Sequence, residues 1–187
     1  MNHVATALWV ILTAFFVEEF VLIKPIFAIG ESDPATRRLE RAAIWVPAIT
    51  IGVAVATLKF HGRIILGGTV NALGFLFCVA ALGLRYWSRR ALGRYFTIGV
   101  IKQEGHVIVQ SGPYRFVRHP GYLAFIVFYL GLALLMGSWL ALVFLFIPSS
   151  LLFVCLSRVE DKRLAEEIGD EYLNYSKGRA ALIPGLW

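Results

Sequence analysis

The chain has 187 residues, 58% of them hydrophobic and only 16% charged, with a formal net charge of +6 and a mean hydropathy of +0.71. A water-soluble domain usually carries about 25% charged residues, so the balance points to an integral membrane protein instead. The basic residues flank apolar runs rather than forming one stripe, which argues against nucleic acid, and Cys78 and Cys155 sit inside apolar runs as small hydrophobes, not as a disulfide or metal pair.

The first apolar run, 4–29, follows no basic stretch and leads into charged residues rather than a small-residue cleavage site, so it is expected to stay in the protein. It contains Glu18, Glu19 and Lys24-Pro25. Carboxylates at that depth must face protein or water, or mark an interface with a kink at Pro25. After a polar linker, Ser32-Asp33-Pro34 offers a helix start, and a second span is expected over 42–58 with Pro47 inside it. The third, 64–87, carries Gly67, Gly68, Ala72, Gly74 and Gly83. Gly68 and Ala72, four apart, are the expected close-approach pair, with Asn71 hydrogen-bonding across the contact.

From residue 88 the composition changes. Ser88 to Phe96 reads as a basic, aromatic segment at a membrane surface. Residues 97–101 and 106–110 are short β-prone runs around Lys102-Gln103-Glu104-Gly105, a hairpin pattern. Then comes Ser-Gly-Pro-Tyr-Arg-Phe-Val-Arg-His-Pro-Gly-Tyr at 111–122. Pro113 and Pro120 each fix a backbone angle beside the permissive Gly112 and Gly121. Arg115, Arg118 and His119 gather donors just before a helix that Pro120 can open, an arrangement suited to an anionic ligand group. The fourth span, 120–136, is about 25 Å long and short for a core of about 30 Å. Gly137-Ser138 turns the chain into the fifth, 139–157, where Pro148 has Ser149 and Ser150 nearby to satisfy freed carbonyls. This hairpin returns the chain to the side it left, so the central turn and the tail should meet. The tail, 158–187, reads as an amphipathic helix with Leu164, Ile168, Tyr172 and Tyr175 at helical spacing.

With the N-terminus outside, fifteen basic residues fall on the cytoplasmic side and only Lys59 and Arg63 outside, leaving Lys24 within its span. The expected fold is therefore a single all-α membrane domain, 1–187. It has about five transmembrane helices, a cytoplasmic C-terminus and a cytoplasmic pocket built from 88–121 and 158–187.

Gly112-Pro113-Tyr114-Arg115, Val117-Arg118-His119-Pro120 and Tyr122 resemble the signature of the isoprenylcysteine carboxyl methyltransferases and the related phospholipid methyltransferases. Glu160-Asp161, Leu164, Gly169 and Glu171-Tyr172 resemble the second half of that signature. The resemblance covers roughly 103–175 and implies a methyltransferase using S-adenosylmethionine. It implies cofactor contacts at Gln103, His106, Val107, Ile108, Val109, Tyr114, His119, Pro120, Gly121, Tyr122 and Glu160. Arg118, Tyr122 and Arg158 are the residues carried over to catalysis. Glu160-Asp161 stands where many relatives have Glu-Glu. The substrate-side arginine expected one turn before the glutamate is Leu156 here, and Arg158 is the nearest basic residue. No metal is expected, and the partners are membrane lipid and a lipophilic or lipid-anchored methyl acceptor.

The same residues have plainer readings. The charged run at 160–163 suits a solvated helix start, Tyr114 and Tyr122 suit interfacial anchors, the arginines suit membrane orientation, and His119 suits a helix cap. Among activities, a carboxylate acceptor is ionised at neutral pH and needs no base, whereas an ethanolamine lipid must first lose a proton. With Glu160 assigned to the cofactor and no second carboxylate evident in the central turn, O-methylation is favoured over N-methylation. A sterol-type NADPH reductase would need additional clustered cations for a 2′-phosphate and a longer chain. A non-enzymatic membrane protein would use Glu18, Glu19 and Asn71 as a polar pathway, and the inverted repeats of many transporters are not evident.

Overall fold

A computed structural model describes residues 3–21, 34–60, 67–93 and 108–183. Helix α1, His3–Phe16, runs into a π-helical turn, Val17–Val21. The rest of the expected first span, including Pro25, lies outside the described residues. Pro34 is the first residue of α2, Pro34–Phe60, as the missing proline N–H allows. Helix α3, Gly67–Leu92, extends past the expected end at residue 87. Ser88, Arg89 and Arg90 therefore belong to this helix rather than to a separate surface segment. The expected hairpin falls mostly on residues outside those described, and 108–110 have no regular structure.

Helix α4, Pro120–Met136, has the expected bounds and stops at Gly137, whose φ of 64° is the left-handed cap that glycine allows. The chain then forms one continuous helix, Trp139–Ile168. It consists of α5, Trp139–Ala141, a π-helical turn, Leu142–Phe146, and α6, Ile147–Ile168. The expected tail helix beginning at Arg158 is thus the outer half of α6. The break comes later, at Gly169 with φ 72°, and a short α7, Asp170–Ser176, follows. Ser149 does not cover the carbonyls near Pro148 as expected. Its hydroxyl lies 3.4 Å from that of Thr50 on α2.

Among the described residues two helices, Gly68–Leu92 and Trp139–Ile168, are long and apolar enough to cross a membrane, and α4 is a shorter apolar helix. Trp9, Trp45, Ile49, Leu76 and Leu151 point outward, as side chains in contact with lipid would.

Helices α3 and α4 make the tightest contact. It is centred on Gly74 and Gly131, not on Gly68 and Ala72. A Cβ on Gly74 would sit 2.3 Å from the Leu135 amide nitrogen and one on Gly131 2.8 Å from that of Cys78, whereas one on Gly68 would meet nothing. Asn71 does bridge the pair, donating to the Leu135 carbonyl at 2.8 Å. Because Asn71 meets the end of α4 and Arg85 meets its start at Gly121, the two helices are antiparallel. The core continues through Phe128, Tyr129, Leu132, Leu145 and Phe153, with Phe125 stacked on Phe153 at 4.6 Å. One end of the molecule consequently gathers the C-terminal end of α1, the last two turns of α3, the turn before α4 and the polar half of α6.

Candidate active site

At that end, Gly112–Arg115 form a single 3-10 turn. Gly112 has φ +60°, and a Cβ there would lie 3.2 Å from the Trp87 indole nitrogen, so the glycine lets the turn settle on α3. From the other side, the tail lies along the turn as a strap. Arg118 N–H donates to the Ala180 carbonyl at 2.9 Å and His119 N–H to that of Ala181 at 3.0 Å. Tyr175 donates its hydroxyl to the Tyr114 carbonyl at 2.9 Å. Arg179 donates to Gln110 at 3.1 Å and stacks over the Tyr175 ring. Ala181 and Leu182 are buried.

His119 occupies the N-cap position of α4, yet its side chain makes no capping bond. The buried ring instead turns toward α6, where Nε2 lies 2.6 Å from Asp161 Oδ1. The Tyr172 hydroxyl donates to that same oxygen, and Arg118 meets the other carboxylate oxygen at 2.9 Å. Nδ1 of His119 faces Glu160 Oε2 at 3.8 Å, too long for a hydrogen bond. The ring is stacked on Tyr122 at 5.6 Å, and Tyr122 leans on Phe153.

Asp161 and Glu160 lie past the apolar part of α6, and their surroundings differ. Burial alone would raise the Asp161 pKa, but the hydrogen bond from His119, the Tyr172 hydroxyl and Arg118 together hold it below the usual aspartate value. Burial and the bond to Asp161 push the Tyr172 phenol well up, keeping it a donor. Burial, then the charge of Glu160, raises Tyr114. Glu160 itself makes no hydrogen bond among the described residues and keeps a side chain 30% exposed.

A second charged cluster adjoins the first. Arg85 clasps Glu19 with Nε at 2.9 Å and Nη2 at 3.3 Å. Arg89 also reaches Glu19 and donates to the Glu18 carbonyl at 2.8 Å. The Arg85 guanidinium covers the Phe125 ring at 4.3 Å, and a Cβ on Gly121 would come within 2.7 Å of it. A Cβ there would have to displace the end of the Arg85 side chain from its place over Phe125.

Of the residues predicted from sequence, Tyr114, Arg118, His119, Pro120, Gly121, Tyr122 and Glu160 therefore lie in or beside one cluster. Ile108 and Val109 lead into it half-buried, while Gln103, His106 and Val107 lie outside the described residues. Arg158 is exposed, Arg115 lies over Phe116, and Leu156 is buried in the apolar core. Sequence reasoning gave no site role to Asp161, Tyr175, Arg85 or the strap at Ala180 and Ala181. For Tyr172 a signal existed. On the continuous tail helix expected from the sequence, the eleven residues from Asp161 to Tyr172 make about three turns and put both on one face. In the structure the break at Gly169 intervenes, and α7 brings the Tyr172 hydroxyl back to Asp161.

The model of the isoprenylcysteine carboxyl methyltransferase family matches residues 72–166, half of the chain and both halves of the cluster around His119. The Saccharomyces cerevisiae protein-S-isoprenylcysteine O-methyltransferase is 32% identical over 116 residues, 61% of this chain and 48% of that protein. A Bacillus subtilis protein of uncharacterized function, YpbQ, is 31% identical over 83 residues, 44% of this chain and 49% of that protein. The chain thus spans about half the length of these two curated relatives. The Cupriavidus metallidurans cobalt-zinc-cadmium resistance protein CzcN is 27% identical over 165 residues, 88% of this chain and 74% of that protein.

Proposed function

Because the chain belongs to the isoprenylcysteine carboxyl methyltransferase family, we propose that it is an integral membrane methyltransferase. In this reading it uses S-adenosylmethionine and methylates a lipophilic acceptor, the carboxylate of an isoprenylcysteine-like group. The observation that carries the proposal is the route taken by the His119 side chain. It forgoes the helix cap beside it and joins the carboxylates of α6, 42 residues away. Two motifs that the sequence keeps apart thereby become one site.

The residues present suit such a cofactor. Tyr114, Tyr122 and the His119 ring offer aromatic surface and polar atoms, and Glu160 offers a carboxylate with no hydrogen bond among the described residues. Together they match an amino-acid end bearing both charges and a sulfonium. When bound, the cofactor supplies an electrophilic methyl group. The chain's own task is to hold the two reactants in line and exclude water. Methylation of a carboxylate breaks the carbon–sulfur bond and forms a carbon–oxygen bond, with no proton to remove.

The other carboxylates near this end, Glu18 and Glu19, face Arg89 and Arg85. Glu19 is held by two guanidinium groups and Glu18 lies in the same ion cluster rather than beside His119, which favours O-methylation over N-methylation of an ethanolamine lipid. Charge sorting supports an external N-terminus and a cytoplasmic site. Arg85, Arg89, Arg118 and the polar half of α6 all sit at the site's end, consistent with that orientation.

The test is transfer of a tritiated methyl from labelled cofactor to a panel containing a farnesylcysteine analogue, an ethanolamine lipid and a small thiol. Base-labile label on the farnesylcysteine analogue supports the proposal. Label confined to the amine lipid moves the assignment to N-methylation, and heat of binding with NADPH but none with S-adenosylmethionine overturns both.

A further inference from the structure

His119 has two differently furnished edges. At Nε2, Asp161 is bound by the ring, the Tyr172 hydroxyl and Arg118, so its carboxylate is fixed from three directions. A carboxylate with these partners accepts, so the ring nitrogen facing it at 2.6 Å must donate. In a neutral imidazole one nitrogen donates and the other accepts. A proton placed on Nε2 therefore leaves the lone pair on Nδ1, the edge facing Glu160 at 3.8 Å. In that neutral form Nδ1 and Glu160 are two acceptors, neither donating to the other, and form a notch for a positively charged N–H donor. An anionic group there would meet Glu160 at close range.

Resting on the methyltransferase reading above, we infer that Asp161 is a positioning residue. It holds the His119 proton on Nε2 and so makes Nδ1 and Glu160 a paired acceptor for a primary ammonium, the amino group of the cofactor's amino-acid end. This polarity differs from the sequence-based reading of His119 as a donor to an anionic ligand group. Asp161 touches no ligand in this scheme and acts only through the ring. Tyr172 and Arg118 hold Asp161 in turn, which explains why three polar side chains converge on a residue behind the site.

Two measurements on the full chain in detergent micelles test the inference. The first is the nitrogen-15 spectrum of histidine-labelled protein, with the His119 signals assigned by His119→Gln. The ligand-free chain should show Nε2 protonated and Nδ1 bare, and Asp161→Asn should abolish that pattern. The second is calorimetric binding of S-adenosylhomocysteine and of its analogue with hydrogen in place of the amino group. The unaltered chain should prefer the amino compound by about tenfold, the value of one charge-assisted hydrogen bond. Asp161→Asn should lose most of that preference, Asp161→Glu should retain it, and Tyr172→Phe should fall between, with thermal midpoints confirming that each variant is folded.

An imidazole protonated on both nitrogens overturns the inference, as does an Asp161→Asn chain that keeps the full preference. A chain that binds neither nucleoside overturns the cofactor reading instead, and the histidine spectrum then decides the proton's position alone.

Discussion

Two clusters of acid and base lie side by side at one end of this molecule, and they differ in how completely they are satisfied. Between α1 and α3, Glu19 is clasped by both Arg85 and Arg89, with side chains only 12–13% exposed. Between α4 and α6, Asp161 is equally well held, but its neighbour Glu160 has no hydrogen bond among the described residues and remains 30% exposed. A carboxylate clasped by two guanidinium groups fastens helices together. A partly exposed carboxylate beside a histidine, with no hydrogen bond among the described residues, is what a ligand would complete. In the proposed reading the first cluster is a clamp beside the second, which holds the ligand.

The sharpest way to break this comparison is to open the clamp. Arg85→Ala leaves the Glu19 carboxylate to Arg89 alone and, with two charge-assisted hydrogen bonds lost, should cost about 2 to 3 kcal/mol of stability in denaturant titration of the micellar protein. Arg85→Ala with Glu19→Ala should recover part of that loss. If the single variant is as stable as the parent, the cluster is not a clamp. Next, Gly131→Ala drives a Cβ to within 2.8 Å of the Cys78 backbone nitrogen, and the resulting overpacking should cost about 2 kcal/mol. The corresponding Gly68→Ala should be neutral, since its Cβ meets nothing.

A smaller effect is expected where the strap meets the turn. Tyr175→Phe removes the bond to the Tyr114 carbonyl and should cost about 1 kcal/mol, read as a lowered denaturation midpoint. Acid probes the second cluster more gently. The Asp161 carboxyl is held below its ordinary value in the folded chain, so its contribution is full above the unfolded pKa of about 4. It is lost as pH falls through the lower folded value. Asp161→Asn should therefore flatten the acid limb of the stability curve below about pH 4, leaving the shape above pH 5 unaltered.

The least stability change should come from Glu160→Gln, within about 0.5 kcal/mol of the parent, because no hydrogen bond is broken. The same variant should weaken S-adenosylhomocysteine binding by about tenfold. A chain that loses stability but not affinity would reverse the roles assigned to the two clusters.

The sequence carried the helical class, the bounds of α4, the Gly137 turn and the return of α6 toward the central stretch. Each follows from local apolar length and from residues whose backbone freedom is unusual. The motif around His119 was equally legible because its prolines and glycines limit the backbone within twelve consecutive positions. The close contact was misread. Several small residues on α3 had suitable spacing, and only the rotation of α4 against it brings Gly74 to Gly131.

The choice between Glu160 and Asp161 was beyond any local pattern. Adjacent residues on a helix point about 100° apart, so which of the two meets His119 depends on how α6 is turned about its axis. That turn is set by packing such as Phe125 on Phe153 and Ser149 against Thr50. The partners of Glu18 and Glu19 were hidden for the same reason, since Arg85 follows Glu19 by 66 residues. Composition and local geometry determined which segments are helices and where the chain turns. Only the tertiary structure decided which charges meet, because side-chain pairing depends on the rotation and register of whole helices, and these are fixed by contacts distant in sequence.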